Sequence, residues 1–164
     1  MAAKKTKKIT ITLDEDYSDM LLLGIQTPLA SHRLAYQMNS VLNLKLRRND
    51  MPLVLTKKDI VCNFTTFDYF DEEQQLAWSL IENTYKSLRI DKNRFDLFAT
   101  DPFYSTRIDY LFPEEKAINY VLKITNIDSA EFTIFSKKIH QIYNVEMVKP
   151  LEIEALKNKE KLLY

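Results

Sequence analysis

A single glycine, Gly24, in a chain of 164 residues constrains this protein more than any other feature. Loops that cradle phosphate need several positions where the backbone approaches the ligand closely, and those positions are glycines. Rossmann-type and P-loop nucleotide binding are therefore excluded. An EF-hand calcium loop, with its central glycine, goes with them. A nucleophile elbow goes too, because no glycine flanks Ser31, Ser79, Ser105 or Ser129.

Cys62 is the only cysteine, so neither a disulfide framework nor a thiolate zinc cluster can form. One cysteine suits a reducing cytoplasm, the expected location. Cys62 shares a strand face with Ile60 and Phe64, the setting of a small buried apolar residue and not of a nucleophile. His32 and His140 lack a metal-type partner at helical spacing, and His140 suits the last turn of a helix, where the dipole favours a cation. No cofactor and no metal are expected, and the chain reads as non-catalytic.

Apolar residues make up 46% of the chain and charged residues 28%, enough for one domain with a sizeable core. The 23 basic and 23 acidic residues cancel, which argues against attachment to nucleic acid by bulk charge. Nine Tyr and nine Phe favour strands and a large buried or interfacial aromatic surface.

Residues 1–8 read as a disordered basic arm carrying Lys4, Lys5, Lys7 and Lys8. Ile9–Leu13 alternates with threonine as a strand and is too short and polar for a signal peptide or membrane span. The folded domain is expected over 9–150, with a helix or arm over 151–164. Met20–Ile25 is apolar on both faces, as a central strand is, and Gly24 there allows close approach of a helix or a bulge. Leu34, Ala35, Met38, Val41 and Leu42 fall at helical spacing, and Asn43 stops the helix. Leu44–Arg47 alternates as a short strand.

After a turn over Asn49–Pro52, a strand starts at Ile60 and runs on towards Phe70. Asp71–Gln74 turns it back into Leu76, Trp78 and Leu80, a hairpin. The stretch 86–111 is the least regular and reads as a long excursion packed down by Phe95, Phe98, Phe103, Tyr104 and Tyr110. Ile118–Ile124 alternates as a strand. Asp128–Glu131 then matches a capping box, followed by the helical stripe Phe132, Phe135, Ile139 and Ile142. Asn144 closes that helix before a strand at Val145–Val148. The pattern predicts an α+β fold: a mainly antiparallel sheet with two principal helices on one face. It comprises two β–α–β units around a hairpin and is loosely ferredoxin-like.

Two groups of side chains are candidates for contact. Lys45, Arg47 and Arg48, with Lys4, Lys5, Lys7 and Lys8, form basic patches for RNA or the ribosome, with Phe67 and Tyr69 available to stack on bases. His32, Arg33 and Glu114 form a possible polar site at the sheet's edge, beside Tyr120, for a small molecule. The acidic groups at Asp14, Glu15, Asp16 and Asp19 and at Asp71, Glu72 and Glu73 read as solvated turns.

Phe112-Pro113-Glu114-Glu115-Lys116-Ala117-Ile118-Asn119-Tyr120 resembles the signature of the IPExxxVDY family, a bacterial group found in Bacteroidetes. Pro113, Glu114 and Tyr120 match, while Phe112, Ile118 and Asn119 replace Ile, Val and Asp. The segments Leu22–Ile25, His32–Asn39 and Asn144–Tyr164 are similar to the same family. The resemblance implies no activity, cofactor or catalytic residue. In physical terms Pro113 sets the approach to a strand, Glu114 meets a cation or backbone amides, and Ile118 and Tyr120 share the core face while Asn119 points away. An interaction module that binds a protein partner or itself is the leading expectation. An RNA- or ribosome-associated accessory protein and a small-molecule sensor or enzyme are the alternatives.

Overall fold

The computed structural model describes residues 17–57, 60–90 and 104–163, so the basic arm, the strand expected at Ile9–Leu13 and the aromatics Phe95, Phe98 and Phe103 lie outside the described residues. Apolar side chains on both faces place β1 (Met20–Gln26) inside a sheet. Leu23 and Ile25 point into one core and Met20 and Leu22 into another. α1 (Ser31–Leu42) follows, burying Leu34, Ala35, Met38 and Leu42, while Val41 stays exposed. Asn43 ends it in the left-handed region at φ 55°, where asparagine is tolerated better than other side chains.

The chain then makes β2 (Arg47–Arg48) and β3 (Leu53–Lys57). The single strand expected from Ile60 to Phe70 is two: β4 (Ile60–Phe64) and β5 (Thr66–Asp71) belong to different sheets. β6 (Leu76–Glu82) returns antiparallel on β5, as the hairpin pattern predicted. The excursion holds regular structure, because β7 (Thr84–Ile90) and β8 (Tyr104–Tyr110) pair over seven residues as an antiparallel ribbon.

β9 (Tyr120–Thr125), α2 (Ser129–His140) and β10 (Met147–Leu151) complete the order. Asp128 caps α2, its Oδ1 accepting from the amides of Ala130 and Glu131 at 2.8 Å each. Asn144 turns the chain at φ 66° into β10.

The main sheet runs β10-β1-β9-β6-β5-β2, every neighbour antiparallel. Its inner four strands, β10-β1-β9-β6, have the ferredoxin-like arrangement, extended at one side by β5 and β2. Both helices lie on one face, over Leu23, Ile25, Trp78, Leu80, Leu122 and Ile124. Phe135 of α2 meets Trp78 edge to face at 5.0 Å.

The other face is covered by different means. Leu53, Leu55, Cys62 and Phe64 from the β3–β4 hairpin pack there, with Leu111, Phe112 and Ile118 and with Leu156 and Leu162 of the C-terminal segment. That segment makes two short 3-10 turns, Ile153–Ala155 and Lys159–Leu163, and so packs as part of the second core. Gly24 opens space on this second face, not for a helix: a Cβ there would lie 3.1 Å from atoms of Ile118 and Leu151. Register through β1 is continuous on both sides, so no bulge accompanies it.

Candidate functional site

The stretch Phe112–Tyr120 is a tight loop built around Asn83, which stands between β6 and β7 and is fully buried. The Asn83 side chain accepts from the Phe112 amide at 2.8 Å and donates to the carbonyls of Glu115 and Ile118, both at 2.9 Å. Its backbone N–H donates to Asn119 O at 2.8 Å, and its carbonyl accepts from Leu111 N at 2.9 Å. A buried amide with both ends occupied ties the β6–β7 junction to the distant stretch Leu111–Asn119.

Ile118 and Tyr120 do not share a face. The chain bends at Asn119, sending Ile118 into the second core and Tyr120 into the helix-side core. Asn119 is tied down by this bend: its Oδ1 accepts from Thr27 N at 2.8 Å and its N–H donates to Ile25 O. The Tyr120 hydroxyl donates to Leu29 O at 2.7 Å. Burial, with the Glu82 carboxylate nearby, pushes the Tyr120 phenol up to about 12. Glu114 accepts from the Lys157 amide at 2.6 Å, and Glu115 pairs with Lys149 at 2.6 Å. Every one of these groups is engaged in holding the loop and the C-terminal segment.

The trio His32, Arg33 and Glu114 does not come together. His32 and Arg33 stand exposed in the first turn of α1, in the helix layer, while Glu114 reaches the C-terminal segment on the opposite side of the sheet. A cleft of about 410 Å³ does open beside Tyr120, but Ser31, Glu82, Tyr85 and Lys86 line it and none of the trio does. His140 is exposed at the end of α2. Cys62 is fully buried, and burial, with Asp109 nearby, raises its thiol pKa.

Among the basic candidates, Lys45, Arg47 and Arg48 are exposed, the two arginines forming the short edge strand β2. Lys45 lines a cleft of about 490 Å³ with Asp71, Glu72 and Glu73, a surface that repels phosphate. Phe67 is buried in the helix-side core and is not a stacking platform, while Tyr69 packs against that core and lines the cleft with Lys45. Asp71 behaves as the turn reading requires, its Oδ1 accepting from the amides of Glu73 and Gln74. Among the described residues no group of three or more His, Cys, Asp or Glu side chains is placed to hold a metal. No helix among them is long and apolar enough to cross a membrane.

Sequence reasoning passed over two buried polar residues. One is Asn83. The other is Lys123, whose alternation in β9 assigned it to the solvent side, yet it is 6% exposed, with its ammonium donating to Leu162 O at 2.8 Å. Burial lowers its pKa against the opposing pull of Asp68. No signal in the local pattern marks either residue, because the segments that cover them come from elsewhere in the chain.

The β7–β8 ribbon was also passed over, and it carries a run of exposed apolar side chains. Leu88 lies opposite Thr106, and Lys86 opposite Ile108, so these four side chains and Tyr104 share one face. On that face Leu88 is 72%, Tyr104 62% and Ile108 46% exposed. The other face is seated on the body: Tyr85 meets Phe64 edge to face at 6.3 Å, and Asp109 is buried with Arg107 bonded to its Oδ1 at 2.7 Å. Lys57 reaches from β3 to Tyr110 O at 2.6 Å. The ribbon is thus anchored on one side and apolar on the other.

No known family model matches the chain, and no curated protein matches it in sequence.

Proposed function

We propose that this chain is a non-catalytic interaction module that binds a protein partner, or itself, through the outward face of the β7–β8 ribbon. One observation carries the reading: Leu88, Tyr104 and Ile108 lie exposed on neighbouring positions of one face, and among the described residues of that face Lys86 is the only charge. An apolar stripe on an anchored ribbon gains free energy only when something covers it. Aromatic and branched side chains at its centre are the kind that carry binding energy in protein interfaces. Membership of the IPExxxVDY family is part of the proposal and rests on the residues of Phe112–Tyr120 with the segments Leu22–Ile25, His32–Asn39 and Asn144–Tyr164, as a cytoplasmic setting rests on the single buried thiol.

RNA binding draws less support, since Phe67 is buried and Lys45 faces carboxylates. A small-molecule site at His32 and Glu114 draws less still, because the two stand in different layers.

Affinity capture with the wild-type chain and with Leu88→Lys tests the proposal. A protein or second copy retained by the first and lost by the second is the expected result. Equal recovery by both, with the variant folded by circular dichroism, removes the ribbon as the binding face.

A further inference from the structure

We infer that the ribbon's partner is a second copy of this chain, joined by antiparallel pairing of β8 with its counterpart about Thr106. This rests on the interaction reading above and names its occupant. The first ground is the edge. β7 and β8 form a sheet of two, and among the described residues no third strand pairs with either. β7 runs beside β4, with Tyr85 on Phe64, while β8 is held at its Asp109–Tyr110 end, which leaves Tyr104–Ile108 as the outer edge. Tyr104–Tyr110 holds no proline and shows no bulge against β7, so its main chain is a template for another strand. A ribbon of two strands is marginal by itself and gains from more.

The second ground is self-complementarity, which selects one register. Centred on Thr106, the pairing sets Thr106 opposite Thr106 and Tyr104 opposite Ile108 twice. Hydroxyl pairs and aromatic–β-branched pairs are favourable cross-strand neighbours. Ser105 then meets Arg107 with no clash of charge. Centring on Arg107 instead would face like charges directly, and centring on Ile108 would need the Tyr110 carbonyl that Lys57 already holds. A slip of one residue would set the apolar face of one copy beside the seated face of the other. In the Thr106 register the stripes Leu88–Tyr104–Ile108 of both copies merge on one side of a four-stranded sheet. Edge pairing of this length is a small interface, so the dimer is a weak and concentration-dependent one.

The test is sedimentation of the full chain across roughly 1–500 µM, a range suited to a small interface. Tyr104→Glu and Ile108→Lys are each expected to raise the dimer dissociation constant about tenfold or more. Combining them restores association at low salt, because the new carboxylate at 104 faces the new ammonium at 108 of the other copy. Thr106→Cys adds a second readout. Directly opposed residues of an antiparallel pair lie within disulfide reach, so mild oxidation yields a covalent dimer.

All three positions are exposed, and circular dichroism checks that each variant folds. A wild-type chain that stays monomeric throughout overturns the inference, as does a dimer indifferent to both single substitutions. Failure of both the double variant and the Thr106→Cys cross-link overturns the register and with it the inference. If the chain is monomeric while Leu88→Lys still loses a captured protein, self-pairing falls and the interaction module stands. If neither is seen, both fall.

Discussion

Replacing Asn83 with alanine removes one side chain and strands three main-chain groups. The Phe112 amide and the Ile118 carbonyl lose partners at 2.8 and 2.9 Å in fully buried surroundings. The Glu115 carbonyl loses one at 2.9 Å in a partly buried setting, where water takes up part of the loss. An unpaired buried donor or acceptor costs about 1–3 kcal/mol. Two such groups and a discounted third bring the destabilisation to about 4 kcal/mol, a large share of the 5–15 kcal/mol typical of a domain (roughly). Asn83→Asp keeps the shape and loses only the two donations, but sets a carboxylate against two carbonyls, so it costs about as much at neutral pH. Urea unfolding is the assay: the midpoint falls at an unchanged slope. Hydrogen exchange at Phe112 rises with it. A loss below about 1 kcal/mol for Asn83→Ala would refute the claim that this amide holds the loop.

Three further perturbations probe other parts of the fold. Gly24→Ala places a Cβ 3.1 Å from Ile118 and Leu151, so overpacking of about 1–3 kcal/mol outweighs the entropy gain, and Ile118→Ala in the same chain, which removes both Ile118 contacts, relieves part of it. A double-mutant cycle by thermal unfolding reads the coupling, and strict additivity counts against the contact. Tyr120 is pushed up to about 12 from 10, so its contribution is complete below pH 10 and is lost as pH rises towards 12. That loss is at most about 3 kcal/mol, and Tyr120→Phe flattens the dependence in stability measured across this range. Lys123 works with the opposite sign: its folded pKa is lowered, the unfolded chain binds the proton more tightly, and stability rises with pH on the approach to the lysine range. Lys123→Met removes that rise; a slope that survives the substitution assigns it to another group.

Periodicity located α1, the β5–β6 hairpin, β9 and α2, and a run apolar on both faces located β1, while the strand expected at Val145–Val148 lies at Met147–Leu151. Asn43 and Asp128 marked helix ends correctly because their roles are local, one in backbone conformation and one in a cap. What escaped notice depends on segments distant in sequence. The break at Thr65 splits one alternating run between two sheets, and alternation reports faces without naming the sheet. Ile118 and Tyr120 differ by two residues, yet a bend held by Asn83 and Thr27 sends them to opposite cores. Lys123 sits on a face that reads as solvated until Leu162 covers it. The ribbon was hidden for another reason. Its outward side chains are apolar without being buried, so exposure and composition point in opposite directions, as they do where a partner is missing.

The edges of the two sheets make the same point by contrast. The main sheet ends at β10, which carries Pro150, and at β2, which is two arginines long. Both are familiar means of refusing another strand: a missing donor in one case, brevity and charge in the other. β8 has neither. It is seven residues long, free of proline, and presents Tyr104 and Ile108 beside Leu88 to solvent. A chain that blunts both edges of its main sheet and leaves β8, among the described residues, open and apolar is sparing that edge for contact, and the cost of leaving it uncovered is an exposed site for uncontrolled pairing. Self-pairing about Thr106 removes that hazard at β8, since a closed two-fold contact consumes this edge on both copies.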